Sequence, residues 1–247
     1  MPKAPESAER GFSALRRILL AYATHNPGIG YCQVISKSQV VAQLTSGGSM
    51  GQTDDAVQGM NFLVGMLLQH LTEEQSFWGL AHIVEHVLAD YFGESMAGVL
   101  ADQQVCKDLL LQYYPSVMQH AECLQVNLAL VASQWLLTAF VNVLPLETAK
   151  SLWDMMLFEG SASVLFRAML TVVDSNVQAL LTCKDTLDLW QKIVSIPGMF
   201  NEPSAMLGNA MIQYEDITKS AFPPTLMSPC ILNHNSVLAA WSWNCMM

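Results

Sequence analysis

Two groups of side chains in the sequence have the types and spacing that chemistry requires. The first is His82, Glu85 and His86, which form the pattern H-x-x-E-H with the two histidines on one face of a helix. Such a pair could share a zinc ion if a third ligand and a β-sheet lay beside it. The sequence shows neither, so we interpret these residues as the polar face of a helix and expect no metal site.

The second group borders a long polar segment. Tyr31-Cys32-Gln33 precedes the segment, residues 34–58 form it, and Gly59-Met60-Asn61 follows it. A long irregular stretch is unusual inside a compact domain. One glutamine, Gln33 or Gln58, stands at each border. An amide side chain can both donate and accept hydrogen bonds.

Helical periodicity dominates the remainder of the chain. Apolar residues recur at intervals of three and four, and Thr72 with Gln75 has the spacing of a helix-capping pair. Pro115, Pro145 and Gly160 punctuate the pattern, and no alternation of strands is visible. The sequence therefore predicts an all-α, multi-helix fold, with helices near residues 12–22, 60–71, 73–87, 95–112, 127–143, 147–157, 161–173 and 176–181.

Composition narrows the class of protein. The chain has 247 residues, of which 52% are hydrophobic and 13% are charged, so it is not intrinsically disordered. Its net charge of −10 argues against nucleic acid as a partner and favours a basic protein surface. The first residues lack the apolar core of a signal peptide, and the cysteines form no C-x-x-C pair. We therefore expect a cytoplasmic protein with reduced thiols.

One segment leaves a membrane-embedded alternative open. No charged residue occurs between Cys123 and Leu146, and about twenty apolar residues can span a bilayer. Polar residues such as Asn127 and Gln134 interrupt the segment, and Pro145 closes it. We favour a buried helix.

Four tryptophans within helical patterns are predicted to lie in the core: Trp78, Trp135, Trp153 and Trp190.

Five segments, in order along the chain, together carry a resemblance to one known family. Joining the two borders of residues 34–58 gives GYCQGMNFL, which resembles the signature of the TBC domain, the Rab GTPase-activating module. The resemblance covers about residues 12–33 and 59–219. The other matching segments are Leu15–Ala23 with Asn26-Pro27, Glu73-Glu74 with Phe77-Trp78, Ser133–Leu137 with Pro145-Leu146, and Trp153-Asp154 with Glu159-Gly160 and Leu165-Phe166-Arg167.

The resemblance implies a TBC-like fold that stimulates GTP hydrolysis by a Rab-type small GTPase in vesicle trafficking. Members supply a glutamine and an arginine in trans, while GTP and Mg²⁺ belong to the partner, so no cofactor is expected here. The glutamine corresponds to Gln33, with Gln58 as the competing position. Tyr31, Gly59, Met60 and Asn61 are the implied GTPase-contact region. Membrane association is then expected to be peripheral, through the partner.

The implied arginine is the point of departure from the family. Members carry it in an I-x-x-D-x-x-R motif upstream of the first matching helix, and the sequence contains no such motif. Arg10 lies outside that context, and Arg16 and Arg17 fit the polar face of the first helix. We therefore expect an N-terminally incomplete domain that activates weakly or not at all. The alternative is a non-catalytic module that binds a Rab or a scaffold.

The domain is predicted to comprise residues 1–220, interrupted by residues 34–58 and followed by an atypical proline-containing tail at 221–247. Because valine codons begin with GT and a glutamine codon can be CAG, a retained intron is one hypothesis for Val34–Gln58. The tail would then be read-through. Removing the segment restores the family signature without a gap.

Overall fold

The computed structural model describes residues 5–29, 55–93 and 96–217, and within these ranges the fold is all-α, as predicted. Eleven α-helices occur in this described part of the chain. They are α1 (Pro5–His25), α2 (Asp55–Leu67), α3 (Glu73–His82), α4 (Ala97–Tyr113), α5 (Pro115–Cys123), α6 (Leu128–Leu137), α7 (Leu146–Glu159), α8 (Ser163–Asp174), α9 (Val177–Leu181), α10 (Thr186–Ser195) and α11 (Pro203–Gln213).

Local side-chain bonds begin and end several of these helices. Thr72 and Gln75 form the predicted capping box: the Gln75 amide donates to Thr72 Oγ1 at 3.4 Å, and the Thr72 amide donates to Gln75 Oε1 at 3.1 Å. Asn127 caps α6 by accepting from the Leu130 amide. Gly160 ends α7 in the left-handed conformation, at φ +59°, which glycine adopts without steric cost.

The predicted helix over 73–87 changes its pitch midway. An α-helix ends at His82, and residues Ile83–Val87 continue as one π-helical turn. The Leu88 amide accordingly donates to the Ile83 carbonyl, five residues back, at 2.7 Å. A π turn shifts the side chains beyond it around the helix axis, so it alters which residues of this segment face the core.

The predicted helix over 127–143 ends earlier than its sequence pattern suggests. Helix α6 stops at Leu137, and Ala139 and Phe140 follow with φ values of 44° and 62°. The indole Nε1 of Trp153 donates to the Ala139 carbonyl at 2.9 Å, which satisfies one of the backbone groups left by this break. Across the described residues, no helix is both long enough and apolar enough to cross a bilayer.

Helix α8 lies at the centre of the core. It packs against α4, α6, α7 and α11, and every residue from Ser163 to Val173 is buried. Trp135 and Trp153 are buried as predicted. The prediction was wrong for Trp78 and Trp190, which are 40% and 42% exposed, because helical periodicity alone does not reveal which apolar positions a neighbouring element covers.

One ion pair joins α8 of this core to the end of α7. The guanidinium of Arg167 on α8 bonds the carboxylate of Glu159 at the end of α7, and its Nη2 also lies 3.2 Å from Ser163 Oγ. Arg167 is buried whereas Glu159 is partly open to solvent, so the pair joins two helices at the edge of the core and gives the buried guanidinium a charged partner. This geometry fits the prediction that Arg167 stabilises the domain.

Candidate functional site

The candidate site lies where α1, α2 and α3 pack against one another. A 3₁₀ turn, Pro27–Ile29, follows α1, and Ile29 is the last described residue before the predicted Tyr31 and Gln33. Both predicted residues lie outside the described part of the chain, as do residues 34–54 and the tail at 221–247. The final four residues of the 34–58 segment, 55–58, form the first turn of α2.

The structure places Gln58, Gly59, Met60 and Asn61 on that same helix. Gly59 lies against α6, because a Cβ atom added to it would stand 2.8 Å from the Leu137 carbonyl oxygen. The Met60 side chain is 3% exposed and belongs to the core, whereas Asn61 is half-buried. The start of α2 is therefore anchored by its small and apolar residues, and Asn61 retains contact with solvent.

Glu85 connects the π turn to the end of α1. Its Oε1 accepts from Tyr22 Oη at 3.1 Å and from Asn26 Nδ2 at 3.3 Å, and it lies 4.0 Å from His25 Nε2. Burial and the nearby Glu85 carboxylate raise the pKa of the Tyr22 hydroxyl, so that the phenol stays protonated and donates. Sequence reasoning assigned Glu85 to a polar helix face and missed this role.

The same contacts bear on the H-x-x-E-H pattern. His82 and His86 have ring centroids 5.2 Å apart, but Glu85 is directed to α1. Within the described ranges, no three His, Cys, Asp or Glu side chains are close enough together to hold a metal ion. The interactions that the structure records for Glu85 are therefore those of a tertiary contact and not those of a metal ligand.

An aromatic cluster lies beside this contact. The His25 ring is 5.5 Å from Phe77 and 5.7 Å from Trp78, each in an edge-to-face arrangement, and the Phe77 and Trp78 centroids are 5.0 Å apart. The predicted acidic-aromatic start of α3 thus packs on the end of α1. The half-exposed ring of Trp78 keeps part of its surface open to a partner.

The arginines of α1 lie on its outer side. Arg10, Arg16 and Arg17 are all exposed, as predicted for Arg16 and Arg17. Arg17 forms a bidentate pair with Glu73, with Nη2 2.6 Å from Oε1 and Nε 2.9 Å from Oε2. This hydrogen bond lowers the pKa of the Glu73 carboxyl and raises that of Arg17. Arg17 is thereby engaged in joining α1 to α3.

Comparison with known proteins identifies the class. The family model described as the Rab-GTPase-TBC domain matches residues 57–181, slightly more than half of the chain. The chain therefore belongs to the TBC domain family, as the resemblance in its sequence indicated.

Particular relatives agree with this assignment. Growth hormone-regulated TBC protein 1 from Mus musculus is 33% identical over 183 residues, which is 74% of this chain and 48% of the relative. The proteins of the same name from Homo sapiens and Xenopus tropicalis are 33% and 32% identical over the same share of the chain, and over 47% and 46% of their own lengths. The chain thus spans about half the length of these curated relatives.

A solved structure is similar in fold. The crystal structure of the Chlamydomonas flagellar RabGAP TBC domain superposes with a TM-score of 0.64 over 84% of this chain and 60% of that chain. The sequence identity is 24%, so the likeness shows the fold alone. Both the family and the all-α architecture are therefore established on grounds independent of the motif analysis.

Proposed function

We propose that this chain engages a Rab-type small GTPase and stimulates its GTP hydrolysis weakly, by supplying a glutamine in trans. The observation that carries the proposal is the family match over residues 57–181, which begins beside the border glutamine Gln58. The nucleotide and Mg²⁺ come from the GTPase. The setting is vesicle trafficking in the cytoplasm, with peripheral membrane association through the partner.

The chemistry rests on two demands of phosphoryl transfer. The attacking water must be oriented, and the charge on the transferring phosphoryl group must be stabilised. Gln33, or Gln58 in its place, meets the first demand because its amide accepts a hydrogen bond from the water and donates another. The packing of α2 supports this role, since Gly59 and Met60 hold the helix that carries Gln58 against the core.

The second demand limits the rate. An arginine supplied in trans contributes about 10³–10⁵ in rate, and the sequence has no I-x-x-D-x-x-R motif that would provide one. The expected acceleration is accordingly far below that range. The missing motif also favours a second candidate function, in which the chain binds a Rab or a scaffold without accelerating hydrolysis.

Affinity for a transition-state mimic separates the two candidates. Binding of the full chain would be compared for a Rab loaded with a non-hydrolysable GTP analogue and for the same Rab with GDP and aluminium fluoride. A catalytic glutamine predicts tighter binding to the aluminium fluoride state, because it interacts more strongly with the transition state. Equal affinities, unchanged in Gln33→Ala and Gln58→Ala, would favour the non-catalytic module.

A further inference from the structure

We propose that a cleft at the C-terminal end of α4 binds an arginine side chain presented by a protein partner. The cleft, called here the tyrosine cleft, is lined by Tyr113, Tyr114, Ser116 and residues 174–179, and its volume is about 670 Å³. It lies where the α4–α5 junction meets the α8–α9 junction. A volume within about 300–1,000 Å³ is typical of ligand sites, and here it has room for an arginine with its neighbouring residues.

Three polar side chains of the tyrosine cleft donate hydrogen bonds within the chain. Tyr114 Oη donates to Asp174 Oδ1 at 2.9 Å. Ser175 Oγ and Asn176 Nδ2 each donate to the backbone carbonyl four residues earlier, at 2.9 and 3.1 Å. Asp174, Ser175 and Asn176 also offer a ligand acceptors, namely the second oxygen of the Asp174 carboxylate, the lone pairs of Ser175 and the Asn176 amide oxygen.

A chain of hydroxyls holds this arrangement in place. The Tyr214 hydroxyl bonds that of Tyr114, which in turn bonds Asp174. Burial raises the pKa of Tyr114 and raises that of Tyr214 to about 12, so both phenols remain protonated at neutral pH. Beside them, Tyr113 Oη donates to Asp216 Oδ2 at 2.9 Å, which adds a second carboxylate next to the cleft.

The charge of the cleft indicates the class of ligand. No lysine, arginine or histidine occurs among the described residues that line the cleft, and the whole chain carries a net charge of −10. The Asp174 carboxylate therefore attracts a cation, and hydrogen-bond donors on that cation can reach the acceptors beside it. A guanidinium suits it better than an ammonium, because its planar fork presents five donors and stacks on aromatic rings such as Tyr113.

The test uses the full ¹⁵N-labelled chain and two blocked tripeptides, Gly-Arg-Gly and Gly-citrulline-Gly. Citrulline has the shape of arginine without its charge. Titration with the arginine peptide is expected to shift the amide signals of residues 174–179, and the citrulline peptide is expected to leave them in place. Raising the salt concentration should weaken the binding, because the contact is made at the surface.

Two variants change the affinity in opposite directions. Asp174→Asn keeps an oxygen that can accept from Tyr114, so the fold is retained. This variant should bind the arginine peptide about tenfold more weakly than the parent chain. Gln178→Glu adds a carboxylate to the cleft and should tighten binding about two- to fivefold. Glu74→Gln, which removes an exposed carboxylate on α3, is the matched control and should bind like the parent chain.

Several outcomes would overturn the proposal. They are equal shifts from both peptides, no shifts in residues 174–179, unchanged affinity in Asp174→Asn, or equal weakening in Glu74→Gln. The last result would assign any binding to net charge instead of the cleft. None of these measurements involves a GTPase, so the tyrosine cleft and the proposed GTPase activation succeed or fail separately.

Discussion

The backbone carbonyl of Leu137 closes the space beside Gly59, so that a Cβ atom at position 59 would stand 2.8 Å from its oxygen and 3.0 Å from the Phe92 ring. Real Cβ contacts are not that short, and the obstacle is backbone, which cannot rotate away. The N-terminal part of α2 therefore packs on the end of α6 without a side chain between them. This contact positions the helix that carries Gln58.

Gly59→Ala should consequently destabilise the chain. We expect the free energy of unfolding to fall by about 1–3 kcal/mol, the usual cost of overpacking, as measured by urea denaturation. Gly65→Ala on the same helix is the matched control, because nothing lies within 4 Å of its Cβ position. That variant should gain about 0.5–1 kcal/mol. Equal effects of the two substitutions would contradict the packing described here.

The Arg167–Glu159 pair should matter far more to stability than the Arg17–Glu73 pair. Arg167→Gln removes a buried guanidinium that bonds both Glu159 and Ser163 at the α7–α8 junction, and we expect a loss of about 2 kcal/mol. Arg17→Gln breaks an exposed pair of good geometry, which solvent screens, and should hardly change the melting temperature. Thermal denaturation of both variants in one buffer compares them, and similar losses would refute the distinction.

The stability of the domain depends on pH through the buried side chain of Asp102. Its carboxylate accepts from Tyr91 Oη, and burial raises its pKa from 3.8 to about 6. The folded state holds the Asp102 proton more tightly than the unfolded chain does. The stabilisation that results from this protonation is therefore fully present below about pH 4. It is lost as the pH rises through 6, with a total of about 3 kcal/mol.

Asp102→Asn removes that titration. The stability of the variant relative to the parent chain should therefore rise between pH 4 and 6 and then level off. Urea denaturation of both proteins at intervals from pH 4 to 8 measures the difference, in which the other titrating groups cancel. A constant difference across this range would show that Asp102 does not titrate as described.

The features that could be predicted from sequence are those that depend on near neighbours along the chain. The capping box of Thr72 and Gln75 was visible because both partners lie within one helical turn. Pro115, Pro145 and Gly160 lie at helix ends for equally local reasons. The family resemblance itself is confirmed by the match over residues 57–181.

The features that sequence could not supply depend on contacts between distant residues. Helix α6 ends at Leu137 because the turn at Ala139 is held by the Trp153 indole, fourteen residues further on. Glu85 bonds Tyr22 on another helix, across 63 residues. The exposure of Trp78 likewise depends on which elements surround α3. Within the candidate site, the structure places Gln58 and Asn61 on α2. The role of Gln33 stays a prediction.

The most direct test of the account is single-turnover GTP hydrolysis by a panel of purified Rab proteins in the presence of the full chain. The account predicts weak acceleration of at least one Rab, lost in Gln33→Ala, or in Gln58→Ala if that residue takes the position. Gln69→Ala, at a glutamine just beyond the end of α2, is the control and should retain the acceleration. Absence of acceleration for every Rab, or acceleration that survives both glutamine substitutions, would contradict the proposed activity.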